Sequence, residues 1–233
     1  NDATGTLDAA DLGAVTAKTT GTVTLESAQT ISGSGADLVA ALKTNAATLS
    51  AASTANITSA VTAAVAAEIA AITDITLDSS GSGTITDSLG NLLNGGQTAI
   101  STNFSNARAE DTDVNVVVND ATGTLDAAKL SLITAKTTGS VTLQSAQTIS
   151  GTGSEVTAAL ITDPVSLGAA SNATVSGNIT AEVAGNIANV TGITATYSGT
   201  ITDVLGNLAS GGSITTNFSR ARGDDTGVDV VVN

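Results

Sequence analysis

The stretch NDATGTLDAADLGAVTAKTTGTVTLESAQTISGSG, Asn1 to Gly35, decides how the rest of the chain is read. It returns as NDATGTLDAAKLSLITAKTTGSVTLQSAQTISGTG, Asn119 to Gly153. The two copies differ only at Asp11, Gly13, Ala14, Val15, Thr22, Glu26 and Ser34, which become Lys129, Ser131, Leu132, Ile133, Ser140, Gln144 and Thr152. The match continues to the end of the chain, so residues 1–118 and 119–233 are two copies of one long repeat. Duplication at this length points to a repeat array, in which each unit buries its apolar face on a neighbour.

Within each copy, apolar spacing alternates between helix-like and strand-like runs. Leu7, Ala10, Ala14 and Val15 follow helical spacing from Leu7 to Lys18, and Gly21 is placed to cap that helix in the left-handed conformation. Thr22 to Glu26 alternates like a strand. Ser34-Gly-Ala-Asp37 and Thr152-Gly-Ser-Glu155 have the form of capping boxes, opening short helices lined by Leu38 and Leu42 in the first copy. A weaker strand is expected near Ala47 to Ser50 and at Val165 to Leu167. Val61, Val65, Ile69 and Ile72, matched by Ile179, Val183, Ile187 and Val190, give the clearest helical period. Ile75 to Leu77 and Ile193 to Ala195 read as strands, and Thr84 to Asp87 and Thr200 to Asp203 as the openings of further helices. The first of these carries Ile85, Leu89, Leu92 and Leu93 on one side, and Asn94-Gly-Gly and Ser210-Gly-Gly stop the pair. The segments STNFSNARAEDTD and TTNFSRARGDD read as irregular, and VNVVV and VDVVV as strands.

Strands centred on Val116, Thr142, Ser166 and Thr194 return about every 25 residues with a helix between, the pattern of solenoid coils. The expected fold is therefore α/β: a repeat solenoid of strand–helix coils, with a parallel sheet along one side and right-handed crossovers. Tandem small α+β domains are the alternative. A pure β-helix conflicts with the helical period of Val61 to Ile72. With no Trp or Met, one Tyr and two Phe, the core must be built from Leu, Ile, Val and Ala, which favours close approach of slender elements.

A net charge of −14 disfavours nucleic acid and anionic membrane surfaces, and makes divalent cations the natural counterions. No Cys is available for disulfides or thiolate sites. No apolar run is long enough for a membrane span, and neither a signal peptide nor an initiating Met opens the chain, which reads as an excerpt from a longer array.

Two sets of residues stand out as sites. Glu110, Asp111, Asp113 and Asp120 bracket VNVVV, with Asn115 among them, and Asp224, Asp225 and Asp229 recur around VDVVV. Oxygen ligands so grouped could hold Ca²⁺; the other reading is a charged rim that keeps an apolar strand from pairing with strangers. Phe104 with Arg108 recurs as Phe218 with Arg222: either a contact surface anchored by Phe, or a plug beneath a long loop. Arg222-Gly-Asp224 spells an integrin-type tripeptide, but the first copy has Arg108-Ala-Glu110. Asn-x-Ser/Thr sequons at Asn56, Asn103, Asn172, Asn178, Asn189 and Asn217 follow from Thr/Ser-rich composition. Catalytic residues are not expected: without His or Cys the usual nucleophile–base pairs cannot form, and Lys18 and Lys136 sit at polar helix ends. A carboxylate pair acting on polysaccharide would lack stacking aromatics.

The phrases GTLDAADL, AKTTGTVTL, QTISGSGADLVAAL and TITDSLGNL resemble repeats in the giant cell-surface and secreted proteins of marine cyanobacteria and other aquatic bacteria, the kind that serves swimming motility in Synechococcus among them. That resemblance implies an extracellular or cell-surface location and carries no functional residue with it. The expectation is a structural, non-enzymatic module that forms a rod, filament or surface layer and associates with further copies. It would carry no cofactor unless Ca²⁺ binds. The alternatives are a Ca²⁺-dependent adhesin or spacer, with cell-surface polysaccharide as a possible partner, and a polysaccharide-acting solenoid enzyme.

Overall fold

The computed structural model describes residues 5–79 and 83–233. Asn1 and its three neighbours, part of the duplicated opening, lie outside the described residues. The chain is α/β with mostly parallel sheets. It divides into two compact units, residues 1–118 with 136–140, and residues 119–135 with 141–233.

The first unit runs β1 (Thr6–Asp8), α1 (Ala9–Thr16), β2 (Thr24–Leu25), β3 (Thr30–Gly33) and α2 (Gly35–Val39), which continues through a π-turn, Ala40–Thr44. Next come β4 (Thr48–Leu49), β5 (Ser53–Ile57), β6 (Ala60–Val61), α3 (Ala63–Ala70), β7 (Ile75–Asp78) and β8 (Thr84–Asp87). The unit closes with α4 (Leu89–Leu92), α5 (Thr102–Glu110) and β9 (Val116–Val118). Strands β1, β3, β5 and β7 form one parallel sheet in that order. Beside it, β2 pairs β4, and β6, β8 and β9 pair in turn, all parallel.

Register explains why these short runs become strands. Leu7 faces Ile31, Ile31 faces Ala55 and Ala55 faces Leu77, which makes an aliphatic row on the inner side. Ile31, Ala55 and Leu77 are buried. One residue away, Thr6, Thr30, Thr54 and Thr76 align on the outer side. A period of two thus puts one face in the core and one in water. From β1 to β3 and from β3 to β5 the step is 24 residues, as in Thr6↔Thr30 and Thr30↔Thr54, and it shortens to 22 at β7, as in Ala55↔Leu77. The longer step is fixed also by side chains, since Gln29 Oε1 accepts from Gly5 N–H and Ser53 Oγ accepts from Gln29 N–H. Parallel strands cannot be joined by a tight turn, so each step contains a crossover that carries a helix or a second short strand.

The second unit repeats the scheme: β10 (Gly123–Asp126), α6 (Ala127–Thr134), β11 (Val141–Leu143), β12 (Gln147–Thr152) and α7 (Gly153–Thr157), which has its own π-turn, Ala158–Thr162. There follow β13 (Ser166–Leu167), β14 (Ser171–Ser176), α8 (Ala181–Ala188), β15 (Ile193–Tyr197), β16 (Thr200–Asp203) and α9 (Leu205–Leu208). The last elements are β17 (Ala209–Ser210), β18 (Ser213–Ile214), α10 (Thr216–Asp224) and β19 (Asp229–Val232). Its four-stranded sheet is β10-β12-β14-β15, while β11 pairs β13 and β16 pairs β19. The antiparallel exception is the β17–β18 hairpin, turned by Gly211 and Gly212 at φ 63° and 82°.

Several sequence expectations need correction. The run from Leu7 is not all helix: Leu7 belongs to β1, and α1 starts only after Asp8, whose carboxylate caps Ala10 and Asp11 N–H. Its inner face is Ala9, Leu12 and Thr16, while Val15 is exposed. The helix is capped at Ala17 and stops short of Gly21. Thr84 to Asp87 and Thr200 to Asp203 are strands, not helix starts, so Ile85 sits in β8, and α4 is a single turn with Leu89 and Leu92 buried. The strand at Thr194 pairs with Asn172 and does not continue the Thr142–Ser166 series. In α3 the buried face is Ala63, Ala66, Ala67 and Ile69, with Val61 one strand earlier. In the second unit α8 packs closely on α10: a Cβ on Gly185 would lie 2.5 Å from Asn217 Cα. Of the two expected capping boxes, Thr152 with Glu155 forms the full box, whereas at Ser34 the Oγ accepts from Asp37 N–H and donates to Asp37 Oδ2.

Among the described residues, no helix is long and apolar enough to cross a membrane.

Candidate functional site

The Phe-Arg-acid segments fold as helices rather than loops. Ser101 Oγ accepts from Phe104 N–H to start α5, and Thr215 Oγ1 does the same for Phe218 in α10. The helical period was masked by its polar residues, because only Phe104 and Ala107 turn inward. Phe104 is fully buried and Phe218 nearly so, which places both rings as plugs in the core. Arg108 and Arg222 fall in the last turn, where a cation opposes the helix dipole. Arg108 Nε donates to the Lys136 carbonyl.

The acids that follow do not converge. Asp111 is buried, and its Oδ2 accepts from Ser79 N–H at 2.8 Å and from Ser79 Oγ–H at 2.5 Å. Burial, then the hydrogen bond with Asp113, push its carboxyl above the usual range, against the two Ser79 bonds. In the second unit, Asp225 Oδ2 accepts from Tyr197 N–H and Asp224 Oδ2 from Ala195 N–H. These carboxylates thus bind backbone donors of β15, or of the residue following β7, each the last strand in its sheet's order. They cap an edge, but not the edge that the sequence suggested. Glu110, Asp113 and Asp229 are exposed, and Asp120 is half-buried with its carbonyl on Gln147 Nε2. Among the described residues, no group of three or more acids is arranged to hold a metal ion.

Sequence reasoning passed over a second pair of carboxylates, Asp87 and Asp203. Each ends a strand and engages two helices. Asp87 Oδ2 accepts from Ala63 N–H at the start of α3, and its Oδ1 accepts from Ser88 N–H and Asn91 Nδ2–H. Asp203 repeats this on Ala181, Val204 and Asn207. The Asn207 bond, reinforced by those from Ala181 and Val204, holds the Asp203 carboxyl below its usual range. The recurring TITD in both copies was the available signal, taken for a helix start because Ile85, Leu89, Leu92 and Leu93 fall at helical spacing. Tyr197, the lone tyrosine, is committed too: its hydroxyl donates to the Ala184 carbonyl, and burial, then the Asp224 and Asp225 charges, push its pKa up.

For nucleophilic chemistry the geometry supplies little. Lys18 and Lys136 are exposed, and Lys43 pairs with Glu68 at 2.7 Å on the surface. The Arg222-Gly-Asp224 tripeptide lies in α10, with Asp224 turned onto β15. The feature of this region with the most polar contacts is the seat of residues 136–140 on the 112–116 strand entry of the first unit. There, Thr137 Oγ1 donates to the Val114 carbonyl at 2.6 Å, and Thr138 N–H to the Thr112 carbonyl at 3.0 Å. Ser140 N–H and Oγ–H both donate to Asn115 Oδ1, and Val116 N–H donates to the Ser140 carbonyl. A Cβ on Gly139 would lie 2.2 Å from the Asp113 carbonyl oxygen, so only glycine allows this approach.

Comparison with protein-family models, curated proteins and solved structures returns no match.

Proposed function

We propose that this chain is a structural repeat module of an extracellular or cell-surface protein, built to extend a rod, filament or surface layer. The supporting observation is the step of 24 residues, held by parallel backbone pairing and by the Gln29–Ser53 and Gln147–Ser171 hydrogen bonds in both copies. A step that recurs in both copies with local pairing is how a solenoid grows by addition of coils, and solenoid winding is the finer reading of the fold that we adopt. The carboxylates Asp111, Asp224 and Asp225 act on backbone donors instead of meeting around a substrate. We assign its carboxylates to capping of strand edges in preference to calcium, because Asp111, Asp224 and Asp225 already accept from main-chain N–H groups.

Immunogold electron microscopy of the native source, with antibody raised against this chain, tests the reading. Label along filaments or a surface layer is expected; label confined to the cell interior would sink it.

A further inference from the structure

Within the second unit, the first turn of α7, the end of β14 and the start of α8 border a cavity of about 530 Å³. Part of its lining, Gly153, Thr180 and Val183, returns unchanged from Gly35, Thr62 and Val65. Around that frame the second copy has changed character. Ala36, Val39 and Ala60 are replaced by Ser154, Thr157 and Asn178, and Ser59 by Gly177. Apolar side chains thus give way to two hydroxyls and an amide, beside the apolar Ile179 and Val183.

These polar groups keep bonding capacity that the fold does not use. Thr157 Oγ1 is buried and has no hydrogen-bond partner among the described residues, an arrangement that costs stability unless something completes it. Asn178 Oδ1 accepts from Thr200 N–H at 3.4 Å, which leaves the side-chain amide as a donor. Ser154 Oγ lies 3.1 Å from Thr152 Oγ1 and has a lone pair to offer. Gly177, at φ 75°, has open space where a side chain would stand. Among the described residues, none that lines the cavity is charged, in a chain of net charge −14.

We propose that this cavity binds a neutral saccharide unit. A sugar ring matches the lining on each count: its hydroxyls both give and take hydrogen bonds, its C–H faces suit Ile179 and Val183, and it carries no charge. An anion would meet the field of an acidic chain with no cation to hold it, and a cation would find no carboxylate in the lining. The volume falls in the range of small-molecule sites, which combine apolar walls with a few placed polar groups. With no aromatic ring in the lining to stack on, the dissociation constant for a single unit should be on the order of 1 mM.

The test is a titration of the full ¹⁵N-labelled chain with glucose, galactose, mannose and N-acetylglucosamine, read from amide chemical shifts, with glucuronate as the charged control. At least one neutral sugar should move the amides of Ser154, Thr157, Gly177 and Asn178 saturably. Those of Ala36, Val39, Ser59 and Ala60 should stay still, so the first copy is a control within the same molecule. Thr157→Val and Asn178→Ala restore the first copy's residues and should fold, with circular dichroism as the check. Each should weaken binding at least about fivefold, whereas Thr157→Ser keeps the hydroxyl and should retain binding. Neutral sugars that leave these amides unmoved up to about 50 mM, well above the expected dissociation constant, overturn the proposal. So do equal shifts in both copies, glucuronate binding as tight as that of the neutral sugars, or variants that bind undiminished. Binding is read in solution and does not depend on where the module is located, so this proposal and the repeat-module reading can fail separately.

Discussion

Single residues act here mainly by completing other residues' hydrogen bonds or by filling the core. Phe104 is the largest fully buried side chain, and the chain has few other bulky groups to refill its volume. Phe104→Ala should cost about 3–5 kcal/mol, read as a lower urea midpoint; a loss under ~1 kcal/mol would show that the site collapses freely. The buried carboxylates oppose one another in their pH dependence. Asp203 has a depressed pKa, so its contribution is present above the unfolded value of about 3.9 and is lost as pH falls through the folded value. Asp111 has a raised pKa, so its contribution is full at low pH and fades as pH rises through the folded value. Asp111→Asn should therefore gain stability relative to wild type as pH rises above the ordinary carboxylate range. Urea titrations over that rise test the sign, and a difference that does not vary with pH rejects it. None of this was legible in the sequence, where Asp111, Asp113 and Asp224 look alike and differ only in what the fold brings to them.

At the scale of elements, the strands are too short to stand alone and depend on being placed side by side. Asp87 shows how placement is enforced, since it ties the end of β8 to the start of α3 across 24 residues. Asp87→Ala leaves Ala63 N–H buried without this acceptor and should cost roughly 2 kcal/mol. In hydrogen exchange, the early amides of α3 should then lose protection before those of β5. Loss of protection throughout the unit at once would mean that the carboxylate is not a local brace. In the wild type, amides of the inner strands β3 and β5 should exchange most slowly, and those of β19 faster, since β19 is exposed along its length. The helix at α3 was readable only in its existence: of Val61, Val65, Ile69 and Ile72, whose spacing suggested it, only Val65 and Ile69 lie in the helix and only Ile69 is on its buried face. β1, β3 and β8 were missed or misread because three- or four-residue strands such as TLD, TISG and TITD carry too little alternation to outvote neighbouring helical spacing.

For the whole molecule, charge and duplication set the behaviour. A net charge of −14 makes copies repel, so self-association should strengthen as sodium chloride rises from low to physiological concentration. Association that weakens with salt would instead point to ion pairs as the adhesive. Because the acids near β7 and β15 are engaged by main-chain donors, thermal melts with excess calcium and with EDTA should superimpose; a large calcium-dependent rise would restore the adhesin alternative.

The sequence by itself determined the repeat, the aliphatic core, the acidic surface and the alternation of helix with parallel strand, because each is a property of composition or local period. Only the tertiary structure decided that Leu7, Ile31, Ala55 and Leu77 form one row, that the acids serve strand edges, and that TITD is a strand. Those outcomes depend on partners 22 residues or more away, as in Ala55↔Leu77, and local spacing along one strand carries no record of which distant backbone will lie beside it.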